Sequence, residues 1–155
     1  YEGKADWDLI AEVKQRAKLP IIGNGDIRSA AKAKQRLQET GVDAVMIGRG
    51  ALRNPWIFKE CVGVSGERAS LKLLTQYLNG LSENYDLRST LMLLRKFSSW
   101  LVFGYPGASK FRKNMFECHT TAEVMEQAEN FFSQVAKLPT PAFEDNEEFM
   151  MGGHG

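Results

Sequence analysis

The 155-residue sequence contains no apolar run approaching the roughly 20 residues that a membrane-spanning helix needs. Its first residues, YEGKADWDLI, lack a basic segment followed by an apolar core, so no secretory signal is expected there. They also lack an initiator Met, which suggests a piece of a longer protein. There are two cysteines, Cys61 and Cys118, in no CxxC or metal-ligand pattern. That argues against a disulfide framework and a zinc site, and favours two reduced thiols in a cytoplasmic protein without a bound metal. A large charge of either sign is missing too: the net charge of +1 says nothing by itself about partners.

What is present is ordinary in amount and uneven in placement. Hydrophobic residues make up 43% and charged residues 25%, the composition of a folded globular chain. Residues 87–116 carry six basic side chains (Arg88, Arg95, Lys96, Lys110, Arg112 and Lys113) and no acidic one. From Glu117 to the end there are eight acidic residues and one basic, Lys137. The near-neutral total hides a basic block followed by an acidic one.

Residues 20–57 organise the chain. Two short apolar runs, residues 19–23 and 44–48, each end on a Gly-x-Gly tripeptide, Gly23-Asn24-Gly25 and Gly48-Arg49-Gly50. Between them, Ser29 is a plausible N-cap and Gly41 a good C′ residue for a helix over residues 30–40. Continuous apolar runs of this kind suit strands buried on both faces. Upstream, Asp6 can cap a helix to about residue 17, with Leu9, Ile10, Val13 and Ala17 at helical spacing. Downstream, a short helical turn, a break at Asn54-Pro55 and a new helix from Trp56 are expected, with Trp56 and Phe58 packing that last helix. Beyond residue 64 the period is helical throughout. Leu71, Leu74, Leu78 and Leu81 mark one helix, and Leu87, Leu91, Leu94 and Leu101 another. A Gly/Pro break follows at residues 104–107. Thr120 and Glu123 form a capping box opening a last helix with Val124, Ala128, Phe131, Phe132 and Val135. His119 and His154 read as surface and tail residues.

A glycine after a parallel strand lets backbone approach a ligand closely, and Arg49 adds a planar donor fork suited to phosphate oxygens. Strand, glycine turn and helix in two successive units match the phosphate site of (β/α) barrels. Asn24 can donate to a phosphate or a hydroxyl. Asp26 serves equally well as a ligand contact or as a turn carboxylate. Alternatively, the four glycines only make tight turns.

The stretches GNGDI and TGVDAVMIGRGALRNPWIF strongly resemble the tRNA-dihydrouridine synthases, which are flavin-dependent TIM-barrel enzymes. YEGKADWDLI resembles the segment after that family's sixth barrel strand, and the resemblance runs to about residue 138. It implies α/β followed by all-α: the final strands of a TIM (β/α)8 barrel over residues 1–62 and a helical bundle that binds tRNA over residues 67–138; the Pro, Gly and acidic residues of 139–155 read as a loose tail. It implies FMN, with NADPH as reductant, and Asn24, Gly25, Asp26, Gly48 and Arg49 as flavin-binding positions, Gly48 and Arg49 chiefly at the phosphate. The family's catalytic cysteine, and its flavin-binding lysine and histidine, match positions before this sequence begins. Neither Cys61 nor Cys118 matches the catalytic position, so no catalytic residue is assigned here. The full-length enzyme is expected to be a monomer.

The acid-free block interleaves its cations with Trp100, Phe103, Tyr105 and Phe111, a mixture suited to phosphates and bases. It equally suits a helical core with solvated basic faces, Trp100 and Phe111 being interior. LRKFSSWLVFGYPGASKFRKNM resembles the core of the family's tRNA-gripping domain, which implies Arg95, Lys96, Lys110, Arg112 and Lys113 as tRNA contacts. Family members often carry His and Tyr where this chain has Phe97 and Leu101. Two rival readings remain: another FMN or phosphate-ligand barrel of the dihydroorotate dehydrogenase kind, and a non-catalytic RNA-binding remnant. Two of eight barrel strands cannot close a barrel or bury these apolar strands alone. Expressed by itself, the chain is therefore expected to be inactive and to lose FMN during purification; a yellow purified protein would contradict this.

Overall fold

A computed structural model describes residues 4–64 and 66–141. The described residues form two strands and eight helices, and they divide into two compact units, one up to Gly66 and the other from Glu67. Residues 142–155, with His154 and most of the expected tail, lie outside the described residues.

The first unit begins with α1 (Trp7–Arg16). Asp6 caps it, its carboxylate accepting from Leu9 N at 2.9 Å. Strand β1 (Ile22–Asn24) follows, then α2 (Ala30–Thr40), capped by Ser29 and closed by Gly41 in the left-handed region at φ 67°. Strand β2 (Ala44–Met46) pairs in parallel with β1, Ile22 opposite Ala44 and Asn24 opposite Met46. Two short helices, α3 (Arg49–Arg53) and α4 (Ile57–Cys61), complete the unit on either side of Asn54-Pro55. A helix between two adjacent parallel strands is the connection that parallel pairing requires.

Trp7, Ile27, Ala33 and Val42 form the core, with Ala5, Ile10, Ile21, Val45 and Ile47 packed against them. Only one face of the sheet is covered by described residues of this unit. Gly23 is buried, whereas Ile22 is 64% and Met46 48% exposed. Strands of a kind suited to burial on both faces are thus covered on one, as expected of two barrel strands by themselves. A side-chain period of two sends Ile22, Asn24, Ala44 and Met46 to one side, where no described element of this unit lies over them. The apolar stripe of α1 is also mostly open, Leu9 and Val13 being exposed; its buried residue is Trp7. In α4 the buried side chain is Ile57, and Phe58, expected to pack, is exposed.

The second unit consists of α5 (Ser70–Asn84), α6 (Leu87–Leu101), α7 (Ala108–Glu117) and α8 (Thr121–Val135). Leu74, Leu81, Leu94, Leu101, Phe111, Met115, Val124, Ala128 and Phe131 supply a continuous core. Phe131 meets Phe111 at 4.9 Å and Tyr105 edge-on at 6.2 Å between ring centroids. Leu87, placed on the leucine stripe, is exposed because it is the first residue after the cap Asp86. Helix α7 had no expected counterpart, although Ala108, Phe111, Met115 and Cys118 bury one side of it and its exit. At α8, Thr120 caps Glu123 N, while the Glu123 carboxylate reaches His119 N at 2.7 Å, one residue before the cap. That hydrogen bond is the main cause holding the Glu123 carboxyl below its ordinary range.

Asp43 ties the start of the sheet to α1. Its Oδ2 accepts from Lys14 Nζ at 2.6 Å and from Ile21 N at 2.7 Å. These bonds, Lys14 first, hold the Asp43 carboxyl below its ordinary value. A carboxyl lowered in the folded state stabilises above its unfolded pKa of about 4 and loses that contribution as pH falls through the folded value. Denaturant titrations from pH 7 to pH 3 are expected to show less acid destabilisation in Asp43→Asn than in the wild type. Gly80, inside α5 with open space around its Cβ position, gives the opposite expectation. Gly80→Ala is expected to stabilise by about 0.5–1 kcal/mol in the same titrations.

Candidate functional site

The two glycine turns leave the same ends of two hydrogen-bonded strands, since Asn24 closes β1 opposite Met46, which closes β2. Gly50 brings them into contact. A Cβ there would run into the Ile27 carbonyl oxygen and lie 3.3 Å from Arg28 Cα. The start of α3 thus rests on the loop leading out of the first turn, and only glycine permits that approach. Asn24, Gly25, Asp26, Gly48 and Arg49 are therefore gathered on one end of the first unit.

Their surroundings differ. Asn24 is exposed on the open side of the sheet. Gly48 is exposed as well, and a Cβ there would meet only Met46 Sδ, at 3.9 Å. Arg49 is exposed and opens α3. Gly25 and Asp26 are turned inward. Gly25 has φ 138°, a Cβ on it would collide with Ala5 Cβ, and its carbonyl accepts from Trp7 Nε1 at 3.2 Å. Asp26 adopts a left-handed backbone at φ 51°, which Asp tolerates better than most residues, and its Oδ2 accepts from Ala5 N at 2.8 Å. Of its two readings, the turn carboxylate is the one with a visible partner.

Sequence reasoning missed Trp7 and Ala5 here. The usable signal was the aromatic at the first position of α1, where an amphipathic surface helix seldom buries a tryptophan. Asn54 is 2% exposed and donates to Glu60 Oε2 at 2.8 Å, closing the α3–α4 corner. Cys61 ends α4 as a surface thiol, pushed up by partial burial and then by the Glu60 charge. Cys118 is buried in the second unit, its thiol donating to the Asn114 carbonyl at 3.4 Å and pushed up first by burial. Neither thiol has the lowered pKa of an activated cysteine.

In the second unit the cationic candidates lie on two helices that pack together, α6 and α7. Lys96 is exposed, its Nζ 5.4 Å above the Trp100 ring. Arg112 donates to Ser109 Oγ at 3.2 Å and sits 6.0 Å from the Phe103 ring. Lys110 and Lys113 are exposed on the outer side of α7. Arg95 donates to the Phe116 carbonyl at 3.3 Å. Arg88, not among the expected contacts, is exposed and lines a shallow depression with Met92 and Arg95. Of the aromatics, Phe111 is 4% exposed, so it belongs to the core rather than to a stacking surface. Phe97 and Leu101 are buried too, Phe97 against Tyr77 at 4.4 Å.

A family model described as dihydrouridine synthase (Dus) matches residues 1–137. The chain belongs to the dihydrouridine synthase family. It is 33% identical over 144 residues to a probable tRNA-dihydrouridine synthase of Rickettsia conorii, covering 87% of this chain and 44% of that protein. It is 34% identical over 148 residues to tRNA-dihydrouridine synthase B of Pseudomonas syringae pv. tomato, covering 90% and 44%. With tRNA-dihydrouridine synthase B of Pasteurella multocida the figures are 34% over 145 residues, 87% and 43%. The chain thus spans a little under half the length of these relatives. Among the described residues there is no helix long and apolar enough to cross a membrane, and no group of three or more His, Cys, Asp or Glu side chains that could hold a metal ion.

The Gly50 contact gives a direct test of the turn geometry. Gly50→Ala forces backbone against backbone and is expected to cost about 1–3 kcal/mol in chemical denaturation. Gly48→Ala, facing open space, is expected to stay within about 0.5 kcal/mol of wild type.

Proposed function

We propose that this chain is part of an enzyme that reduces the C5–C6 double bond of specific uridines in tRNA. In this reading its first unit is one sector of an FMN-binding (β/α)8 barrel, and its second is the helical domain that holds the tRNA. The observation that carries the reading is the open face of the sheet. Parallel strands are stable when both faces are covered. Helices cover one face here, while Ile22, Asn24, Ala44 and Met46 look into the space that a barrel encloses. In such barrels ligands bind at the C-terminal ends of the strands. Asn24, Gly48 and Arg49 stand at those ends, accessible to a ligand.

In this role the Asn24 amide binds the flavin's polar hydroxyl or phosphate groups, the exposed Gly48 backbone allows close approach, and Arg49 supplies positive charge for the phosphate. FMN, when bound, supplies the hydride that the uracil ring accepts, with NADPH as its reductant. Lys96, Lys110, Arg112 and Lys113, with Arg88 and Arg95, neutralise tRNA phosphates, and Trp100 and Phe103 place apolar surface among them. The acid-free run of residues 87–116 favours this reading over a barrel oxidoreductase acting on a small molecule.

Two measurements on the whole enzyme test the proposal. Replacing Lys110, Arg112 and Lys113 together by Gln is expected to weaken tRNA binding and to lower the slope of log K against log salt by about 2. An unchanged affinity and slope would remove these three from the interface. Gly48→Ala is expected to weaken FMN binding about tenfold or more while leaving the fold intact; undiminished flavin retention would remove Gly48 from the site.

A further inference from the structure

We infer that Trp7 and Asp26 are positioning residues for the first glycine turn, the Asp26 carboxylate acting on the flavin through the conformation of that turn. The inference deepens the proposed flavin site and rests on it. Glycine after a strand is ordinarily read as room for a ligand. Here the room at Gly23 and Gly25 is filled by the protein itself. A Cβ at Gly23 would lie 2.6 Å from the Trp7 ring, and one at Gly25 would overlap Ala5 Cβ. The same two neighbours supply the turn's hydrogen bonds. Trp7 Nε1 donates to the Gly25 carbonyl, and Ala5 N donates to the Asp26 carboxylate. The Arg36 guanidinium, from α2, stacks 5.1 Å from the Trp7 ring on a further side.

This clamp fixes an otherwise permissive backbone. Gly25 at φ 138° is one of many conformations open to a free glycine, and Asp26 at φ 51° is one that a non-glycine residue visits seldom. Anchoring one carbonyl and one carboxylate to residues 5–7 selects a single turn conformer. In that conformer Asn24 is the tripeptide's only side chain, and it is exposed on the open face. Preorganising a binding group in this way raises affinity without adding a contact. The three residues of the Asn-Gly-Asp run then have separate roles. Asn24 faces the ligand, Gly25 admits Ala5, and Asp26 locks the turn.

The test is FMN titration of the flavin-free whole enzyme, followed by flavin fluorescence. Asp26→Asn keeps an oxygen able to accept the Ala5 amide, and its Kd is expected to stay within about threefold of wild type. Asp26→Ala removes the acceptor and is expected to raise Kd about tenfold. Trp7→Phe keeps a ring beneath Gly23 but loses the indole donor, and is expected to raise Kd by about three- to tenfold. Combined with Asp26→Ala it should cost less than the product of the single effects, because both changes release the same turn. If Asp26→Asn weakens FMN as much as Asp26→Ala does, the carboxylate charge acts on the ligand and the inference is overturned. If Trp7→Phe leaves Kd unchanged, the clamp is overturned. Asn24→Ala separates the two levels. Should it and Gly48→Ala both leave FMN binding untouched, the flavin site itself is wrong, whatever Asp26 does.

Discussion

The first unit depends on the burial of one indole. The buried cluster around its sheet consists, among the described residues, of Trp7, Ile27, Ala33 and Val42, and Trp7 is much the largest. A tryptophan removes about 150–250 Å² from water, worth roughly 4–6 kcal/mol at the usual area coefficient before entropy is charged. That burial demands Cβ-free backbone on the strand beneath it, which Gly23 provides. The indole N–H then needs a partner, which Gly25 provides through its carbonyl. A hydrophobic requirement therefore sets the conformation of the turn on which the proposed ligand chemistry rests. Packing and function meet in the same two glycines.

The second constraint is the uncovered side of the sheet. A two-stranded parallel sheet has little reason to persist in isolation, and this one leaves Ile22, Met46, Leu9 and Val13 in contact with solvent. Asp43 and the α1–α2 packing secure one side only. The chain spans a little under half the length of the relatives it matches. In the proposed reading the exposed apolar face is the side that the rest of a barrel would cover.

The elements that local chemistry dictates were legible in the sequence. Asp6, Ser29 and Thr120 cap the helices they precede, and Gly41 closes α2 in the left-handed region, because a cap needs only its own neighbouring residues. What could not be read depends on partners distant in sequence. An apolar run as short as residues 19–23 does not reveal how many faces of its strand will be covered. Asp26 looked equally suited to ligand and turn because its partner, the Ala5 amide, lies 21 residues away. Phe111 fitted either a stacking surface or an interior within the basic block; it is core, whereas Phe103 lies near the Arg112 guanidinium. Helix α7 was hidden by its cations, although its apolar residues keep a helical period on one side. The proposed flavin and tRNA contacts rest on resemblance, since spacing alone indicates only two turns able to approach an anion.

The charge arrangement of the second unit argues for a polyanionic partner on energetic grounds. Lys110 and Lys113 stand three residues apart on α7, a like-charge pair that costs a few tenths of a kcal/mol in a helix. The helix's one acidic residue, Glu117, sits in its last turn, where the dipole disfavours a negative charge. Helix α6 likewise carries Arg88, Arg95 and Lys96 with no acidic residue of its own. A sequence selected only for stability would intersperse carboxylates among these cations, as α2 does with Arg36 and Glu39 at 3.1 Å. The four-helix core does not need the cations either, because the apolar sides of α6 and α7 already close it. On this pair of packed helices the cations outnumber the nearby carboxylates, Asp86 beside Arg88 and Glu117 at the end of α7, and that imbalance supports the proposed polyanionic partner.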